Sequence, residues 1–163
     1  MRIAIAAVGR ARAAPELTLA DLFCERARAL GPGLGFPKLD IVIVDVSKSA
    51  TAPARMADEA AKLARAIPKG AHRIALDEEG RAMTSERFAA HLASLRDRGV
   101  RDCAFLIGGP DGLAPGLRGA AEERLALGPQ TWPHLLVRAM LVEQIYRAFA
   151  ILAHHPYHRG RAG

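Results

Sequence analysis

The sequence has few aromatic residues and only two cysteines, and both shortages limit what the protein can be. Aromatic residues make up 5% of its 163 residues, so a core must be built mainly from Ala, Leu, Val and Ile. Cys24 and Cys103 lie far apart in apolar stretches, which indicates packed thiols rather than a disulfide. Arg138, Glu143 and Arg147 interrupt the longest apolar segment, which argues against a membrane span. We therefore expect a cytoplasmic protein.

Negative charge is scarcer than positive charge. Lys and Arg together number 23 against 17 Asp and Glu, which gives a formal charge of +6 and a pI near 10. A surplus of this size suits a polyanion such as RNA. The abundance of Arg and Ala is also typical of a GC-rich genome, so the charge alone leaves both interpretations open.

Apolar runs of strand length alternate with segments of helix length, which predicts a single α/β domain with a mostly parallel sheet. The predicted strands are 3–8, 39–46, 73–76, 103–107 and 124–127. The predicted helices are 16–30, 53–67, 84–99 with Thr84 as its N-cap, 115–123 and 133–152. The second strand is rich in β-branched residues, which is typical of a sheet buried on both faces. Residues 77–80 are predicted to form a turn.

Three predicted strand ends have sequences that could bind a ligand. They are Leu76-Asp77-Glu78-Glu79-Gly80, Gly108-Gly109-Pro110-Asp111-Gly112 and Leu127-Gly128-Pro129-Gln130-Thr131-Trp132. In open parallel sheets, ligands bind at the carboxyl ends of the strands, and paired glycines let a ligand approach the backbone. A plain turn before a helix accounts for the glycines equally well. The four acidic residues in these segments are interpreted as turn or capping residues rather than catalysts.

The last predicted helix is apolar on nearly all sides and therefore needs to be buried. One face can cover the sheet, while the other needs a second helix or a second subunit. A homodimer is favoured over a purely internal position.

The residues after this helix are rich in His, Tyr and Arg. A metal site through His154, His155 and His158 is not favoured, because Pro156 prevents a regular helix across them. Contacts to RNA are favoured instead, with the aromatic side chains stacking and Arg159 pairing with phosphate. A disordered tail is the alternative.

The same segments resemble a known family. LIGGPDGL, TWPHLLVR, EQIYRAF and HPYHR are similar to motifs of the RlmH family, SPOUT-superfamily methyltransferases of bacterial ribosomal RNA. The similarity runs from VGR through LDEEG to the tail and is weakest between residues 9 and 47. It implies an α/β fold with a C-terminal trefoil knot, a single domain over residues 1–163 that includes a substrate-binding tail at 154–163, and a homodimer.

The resemblance also implies a cofactor and a reaction. S-adenosylmethionine would be held in the knot by backbone groups at Leu76, Gly108, Leu127, Gly128, Pro129, Gln130, Thr131 and Trp132. A methyl group would pass to N3 of a pseudouridine in large-subunit ribosomal RNA of the assembled ribosome. Pro129 departs from the family pattern and removes one backbone donor from the third loop.

Roles for the C-terminal residues follow from the same resemblance. His158 is hypothesised to accept the N3 proton, and Tyr157 to stack on or near the target base. Arg138 and Arg159 would hold phosphate, and Arg138 is counted with His158 as a catalytic residue. His154 stands where Asn is common and is counted among the RNA-binding residues. The alternatives are a methyltransferase acting on another RNA such as transfer RNA, a ribosome-binding factor without catalysis, and a small-ligand-binding α/β protein.

Overall fold

The computed structural model describes residues 1–11 and 13–158. Within them, five parallel strands form one sheet in the order β2-β1-β4-β3-β5, which confirms the predicted α/β class. The strands are β1 Arg2–Val8, β2 Leu39–Val44, β3 His72–Ala82, β4 Asp102–Ile107 and β5 Glu123–Ala126. The helices are α1 Pro15–Leu30, α2 Ala52–Ala66, α3 Ser85–Asp97, α4 Pro115–Gly119 and α5 His134–Leu152.

Helices cover both faces of the sheet, because successive strand residues point to opposite faces. Ile3, Ile5 and Ala7 of β1 pack in the larger core, together with apolar residues of α1, α3 and α5. Ala6 and Val8 pack in a smaller core on the other face, against α2 and α4. The connections that run toward the β2 edge pass through α1 and α3 on the face of the larger core, and those that run toward β5 pass through α2 and α4 on the other face. All four crossover connections therefore have the same handedness.

The second strand differs from its prediction. β2 is an edge strand, paired with β1 alone, and its residues after Leu39 are only half buried. The prediction that it is buried on both faces is therefore wrong. β-branched side chains favour strands generally, whether central or at an edge, so the composition could not distinguish the two positions.

The third strand is longer than predicted. β3 continues to Ala82, but Leu76 and Arg81 both lie opposite Leu125 of β5, so residues 77–80 bulge out of the ladder. A Cβ on Gly80 would lie 2.7 Å from backbone atoms of Leu125. The missing side chain thus lets the strand return to its partner after the bulge, which replaces the predicted simple turn.

Helix predictions were closer to the structure. Thr84 caps α3 by accepting a hydrogen bond from the backbone nitrogen of Arg87 at 3.3 Å, as predicted. Most of the apolar positions of α5 are buried, which confirms that this helix is enclosed. α4 ends at Gly119, four residues before its predicted end. Cys24 and Cys103 are both buried and free, as the packing interpretation required.

Candidate functional site

A cavity of about 480 Å³ lies at the carboxyl ends of β4 and β5, beside the point where β3 enters its bulge. These three strands are neighbours in the sheet, so their carboxyl ends meet at one edge. The predicted cofactor positions that line the cavity are Leu76, Gly108, Leu127, Gly128, Gln130, Thr131 and Trp132. Pro129 does not line it. The structure therefore brings together three loops that are far apart in the sequence.

The glycine turn after β4 is packed too tightly for a side chain. A Cβ on Gly108 would lie 2.5 Å from the carbonyl carbon of Gly112 and 2.6 Å from the nitrogen of Leu113. The nitrogen of Gly112 donates to the carbonyl of Gly109 at 2.9 Å and closes the turn. A larger residue at Gly108 would therefore force the turn apart, and Gly108 itself lines the cavity.

Two of the loops are fastened to each other at the cavity. The hydroxyl of Thr131 donates to Oε2 of Glu78 at 2.6 Å, and both residues line the cavity. Beside them, Oδ1 of Asp77 accepts from the backbone nitrogen of Glu79 at 3.1 Å. This bond confirms the interpretation of Asp77 as a turn residue.

α5 begins at the cavity and places there an imidazole, that of His134, which is not among the predicted site residues. His134 lines the cavity, and its ring packs on Gly9, where an added Cβ would lie 2.6 Å from Nε2. Burial lowers the pKa of His134, Arg138 lowers it further, and Glu59 partly opposes the shift. The net shift favours the neutral imidazole, which is the form that can accept a proton. The available signal was the Pro-His pair directly after the third loop.

Arg138, which was predicted to hold phosphate, is buried within the chain. It is 3% exposed, and its Nη2 donates to the carbonyl of Gly9 at 2.8 Å. Burial lowers its pKa, and its Nε has no hydrogen-bond partner among the described residues. In this structure the guanidinium holds the end of β1 beside His134 and lies outside the cavity lining.

After α5, residues 153–156 are exposed, whereas the side chains of Tyr157 and His158 contact the helices of the domain. The hydroxyl of Tyr157 donates to Oε1 of Glu143 at 2.9 Å, and its ring centroid lies 4.6 Å from that of Tyr146. Nε2 of His158 lies 2.9 Å from Oε1 of Glu86. An aromatic ring with a polar end finds both kinds of partner on the helices, which explains the docking.

The other predicted RNA contacts that the structure describes lie outside the three-loop cavity. His154 is exposed and has a positive φ of 52°, while Arg159 lies outside the described residues. None of His154, Tyr157 and His158 lines the three-loop cavity. The RNA-binding and catalytic roles assigned to these residues stay predictions.

A second cavity, of about 570 Å³, adjoins the first and shares Leu125, Leu127 and Gly128 with it. Its other walls are mainly apolar side chains of α1, α3 and α5, with Glu143 and Ser85 among the polar ones. Because Tyr157 binds Glu143 and His158 pairs with the residue after Ser85, the tail lies at the rim of this second cavity.

Over residues 1–11 and 13–158, no group of three or more His, Cys, Asp or Glu side chains is arranged to hold a metal ion. In the same ranges, no helix is long and apolar enough to cross a membrane.

Comparison with known proteins gives a match over nearly the whole chain. The family described as predicted SPOUT methyltransferase matches residues 1–158. "Ribosomal RNA large subunit methyltransferase H" of Bradyrhizobium sp. (strain ORS 278) is 48% identical, covering 98% of each chain. The protein of the same name from Methylobacterium radiotolerans is 49% identical over the full length of both. Among solved structures, the SpoU methyltransferase AviRb from Streptomyces viridochromogenes, in complex with AdoMet, is 12% identical with a TM-score of 0.40, covering 94% of this chain and 61% of that one.

Proposed function

Because this chain belongs to the SPOUT methyltransferase family, we propose that it is an enzyme that methylates RNA of the large ribosomal subunit. Two relatives whose names state that activity are 48% and 49% identical over nearly all of both chains. The observation that carries the proposal to this chain is the cavity formed by three loops at neighbouring strand ends. It lies at the edge of the sheet where parallel α/β proteins bind ligands.

S-adenosylmethionine is the cofactor that we propose for this cavity. Its volume of about 480 Å³ is within the roughly 300–1,000 Å³ usual for small-molecule sites. Gly108 and Gly128 expose backbone without a side chain, and Trp132, which is 38% exposed, offers an aromatic surface. These features fit a ligand with a flat base and a flexible polar chain. When bound, the cofactor supplies an electrophilic methyl group.

N3 of a pseudouridine in the assembled ribosome is the proposed methyl acceptor. This nitrogen must lose its proton during the reaction, so a neutral base has to face it. His158 is the proposed base, while Tyr157 stacks on or near the nucleobase and His154 and Arg159 contact the RNA. Since His158 is paired with Glu86 outside the cavity of its own chain, it would act after leaving that pair or in the cavity of a partner chain.

His134 is a second candidate for the proton acceptor, because it already lies at the cavity and its pKa is lowered. We propose that Arg138 acts through His134 rather than by touching phosphate. Its guanidinium fixes the carbonyl of Gly9, and the ring of His134 packs on that residue. Arg138 is thus a positioning residue in this proposal.

A homodimer is the proposed functional unit. Leu19 and Leu22 of α1 are 42% and 41% exposed, although large apolar side chains normally avoid water. Leu19 also lines the second cavity beside Leu136 and Met140 of α5. A second copy placed against α1 and α5 would cover this surface and bring its own C-terminal residues near the cofactor loops.

The remaining expectations from the family resemblance are proposed with the function. They are a trefoil knot in the C-terminal part of the fold, one domain over residues 1–163 with a substrate-binding tail at 154–163, and activity in the cytoplasm, where ribosomes are found. The closeness of the loop at 127–132 to those after β3 and β4 supports a compact C-terminal arrangement.

Methylation assays with three RNA substrates test the proposal. Purified protein and labelled S-adenosylmethionine are incubated with assembled ribosomes, free large subunits or bulk transfer RNA, and the modified nucleotide is mapped by mass spectrometry. We expect label in large-subunit ribosomal RNA of assembled ribosomes, at N3 of a pseudouridine. Label only in transfer RNA would support the first alternative. Ribosome binding without affinity for S-adenosylmethionine would indicate a non-catalytic factor.

A further inference from the structure

The charges around the three-loop cavity are unevenly compensated. Three carboxylates line it, those of Asp77, Glu78 and Asp111. Asp77 is flanked by Arg124 at 3.3 Å and Arg118 at 3.7 Å. For the described residues, Glu78 is the one lining carboxylate that is left without a cationic partner.

The negative charge of Asp111 is compensated by an ion pair with Arg55. The guanidinium of Arg55 donates to both of its carboxylate oxygens, at 2.7 and 3.0 Å. These hydrogen bonds lower the pKa of Asp111, and the acid is held as half of a bidentate ion pair. Its negative charge is therefore already matched within the chain and adds little to the field in the cavity.

Glu78 has a neutral partner instead. The hydroxyl of Thr131 donates to its Oε2 at 2.6 Å, which satisfies one acceptor site and joins the bulge of β3 to the loop before α5. A hydroxyl group carries no net charge, so the carboxylate of Glu78 stays electrostatically uncompensated. Glu78 is exposed and lines the cavity, so its carboxylate is accessible to solvent and to a ligand bound there.

We propose that Glu78 is a specificity residue that favours the cationic methyl donor over its uncharged-sulfur product. This inference rests on the proposed function. S-adenosylmethionine has a positive sulfonium that S-adenosylhomocysteine lacks, while their base, ribose and amino-acid parts are the same. A lone carboxylate at the cavity wall attracts the first ligand through its extra charge. The same preference helps the spent cofactor to leave.

Calorimetric titration of each ligand into the full-length protein tests this role. In Glu78→Gln, the affinity for S-adenosylmethionine is expected to fall about two- to fivefold, as for one partly exposed charge pair. The affinity for S-adenosylhomocysteine should stay the same within error. The selectivity of the wild type should also weaken as salt is raised, because exposed charges are screened over about 8 Å at physiological ionic strength.

Three further variants separate charge from structure. Glu79→Gln is the matched control. Its side chain is adjacent, 72% exposed, 3.7 Å from Arg124 and outside the cavity lining, so this variant should preserve the selectivity. Glu78→Asp keeps the charge and should also preserve it. Thr131→Val removes the hydrogen bond between the loops but no charge, so it should weaken both ligands in parallel.

The possible failures can be told apart. Equal losses for both ligands in Glu78→Gln would mean that Glu78 binds a part they share, or only shapes the loop, and would overturn the inference. Unchanged affinities for both would overturn it as well. If the wild-type protein bound neither ligand, the proposed function itself would fail.

Discussion

Gly9 lacks a side chain where the imidazole of His134 occupies the space. Its φ of +104° is a conformation that other residues avoid, and the bond from Arg138 to its carbonyl fixes it further. In the sequence, VGR and PHLLVR are two separate motifs at opposite ends of the chain. Only the fold makes them neighbours, so the meeting of the three loops could be predicted from strand ends, whereas the position of His134 could not.

Substitutions of His158 and His134 are expected to affect the methyl-transfer step differently. We expect His158→Ala to lower the single-turnover methylation rate about 10²- to 10⁴-fold, the usual contribution of a positioned base. His134→Ala should lower this rate less, because the ring of His134 only shapes the cavity if His158 is the proton acceptor. His72→Gln is the control, since His72 pairs with Glu123 at the amino end of β3. A normal rate for His158→Ala together with a large loss for His134→Ala would identify His134 as the base.

The hydrophobic pattern predicted the order and type of the strands and helices better than it predicted their burial and pairing. The alternation predicted all five strands and five α-helices of the described residues, because burying apolar faces fixes the periodicity. It could not show that β2 lies at an edge or that Leu125 pairs on both sides of the bulge at 77–80. Both depend on pairing between distant segments. For the same reason it could not predict that Tyr157 docks on α5.

α1 leads to a prediction about assembly. Replacing Leu19 and Leu22 by Asp should dissociate the proposed dimer, because charge would enter a surface that a partner has to cover. Sedimentation velocity at micromolar concentration should give the mass of one chain for this double variant and of two chains for the wild type. Ala64→Asp, on α2 at the opposite face of the sheet, is exposed and should keep the dimer. A monomeric wild type would contradict the proposal.

The whole molecule has a formal charge of +6, and many of its acidic side chains form ion pairs with basic ones. Arg73 with Glu122, Arg55 with Asp111 and Arg2 with Asp102 are examples. The first pair joins β3 to the segment before β5, the second joins α2 to the loop after β4, and the third joins β1 to β4. The surplus of basic residues suits a polyanion.

Stability should fall in two separate steps as the pH is lowered. The pKa of His134 is below its usual 6.5, so the unfolded chain binds a proton first and stability decreases from about pH 6.5 downward. The pKa of Glu122 is lowered from 4.5 to about 2 by the hydrogen bond from Arg73. Its contribution is present above about pH 4.5 and is lost as the pH falls toward 2.

Urea unfolding at intervals between pH 8 and 3 would separate the two steps. His134→Gln should flatten the upper part of the curve and leave the lower part, because glutamine does not titrate. Glu122→Gln should reduce the loss below about pH 4.5 without changing the upper part; Asp58, Asp97 and Asp111 also have lowered pKa values and keep some slope there. A wild-type curve that is flat between pH 7 and 5 would show that burial does not disfavour the charged form of His134. The imidazole would then be protonated over more of the physiological range, and its case as a neutral base beside the cofactor loops would be lost.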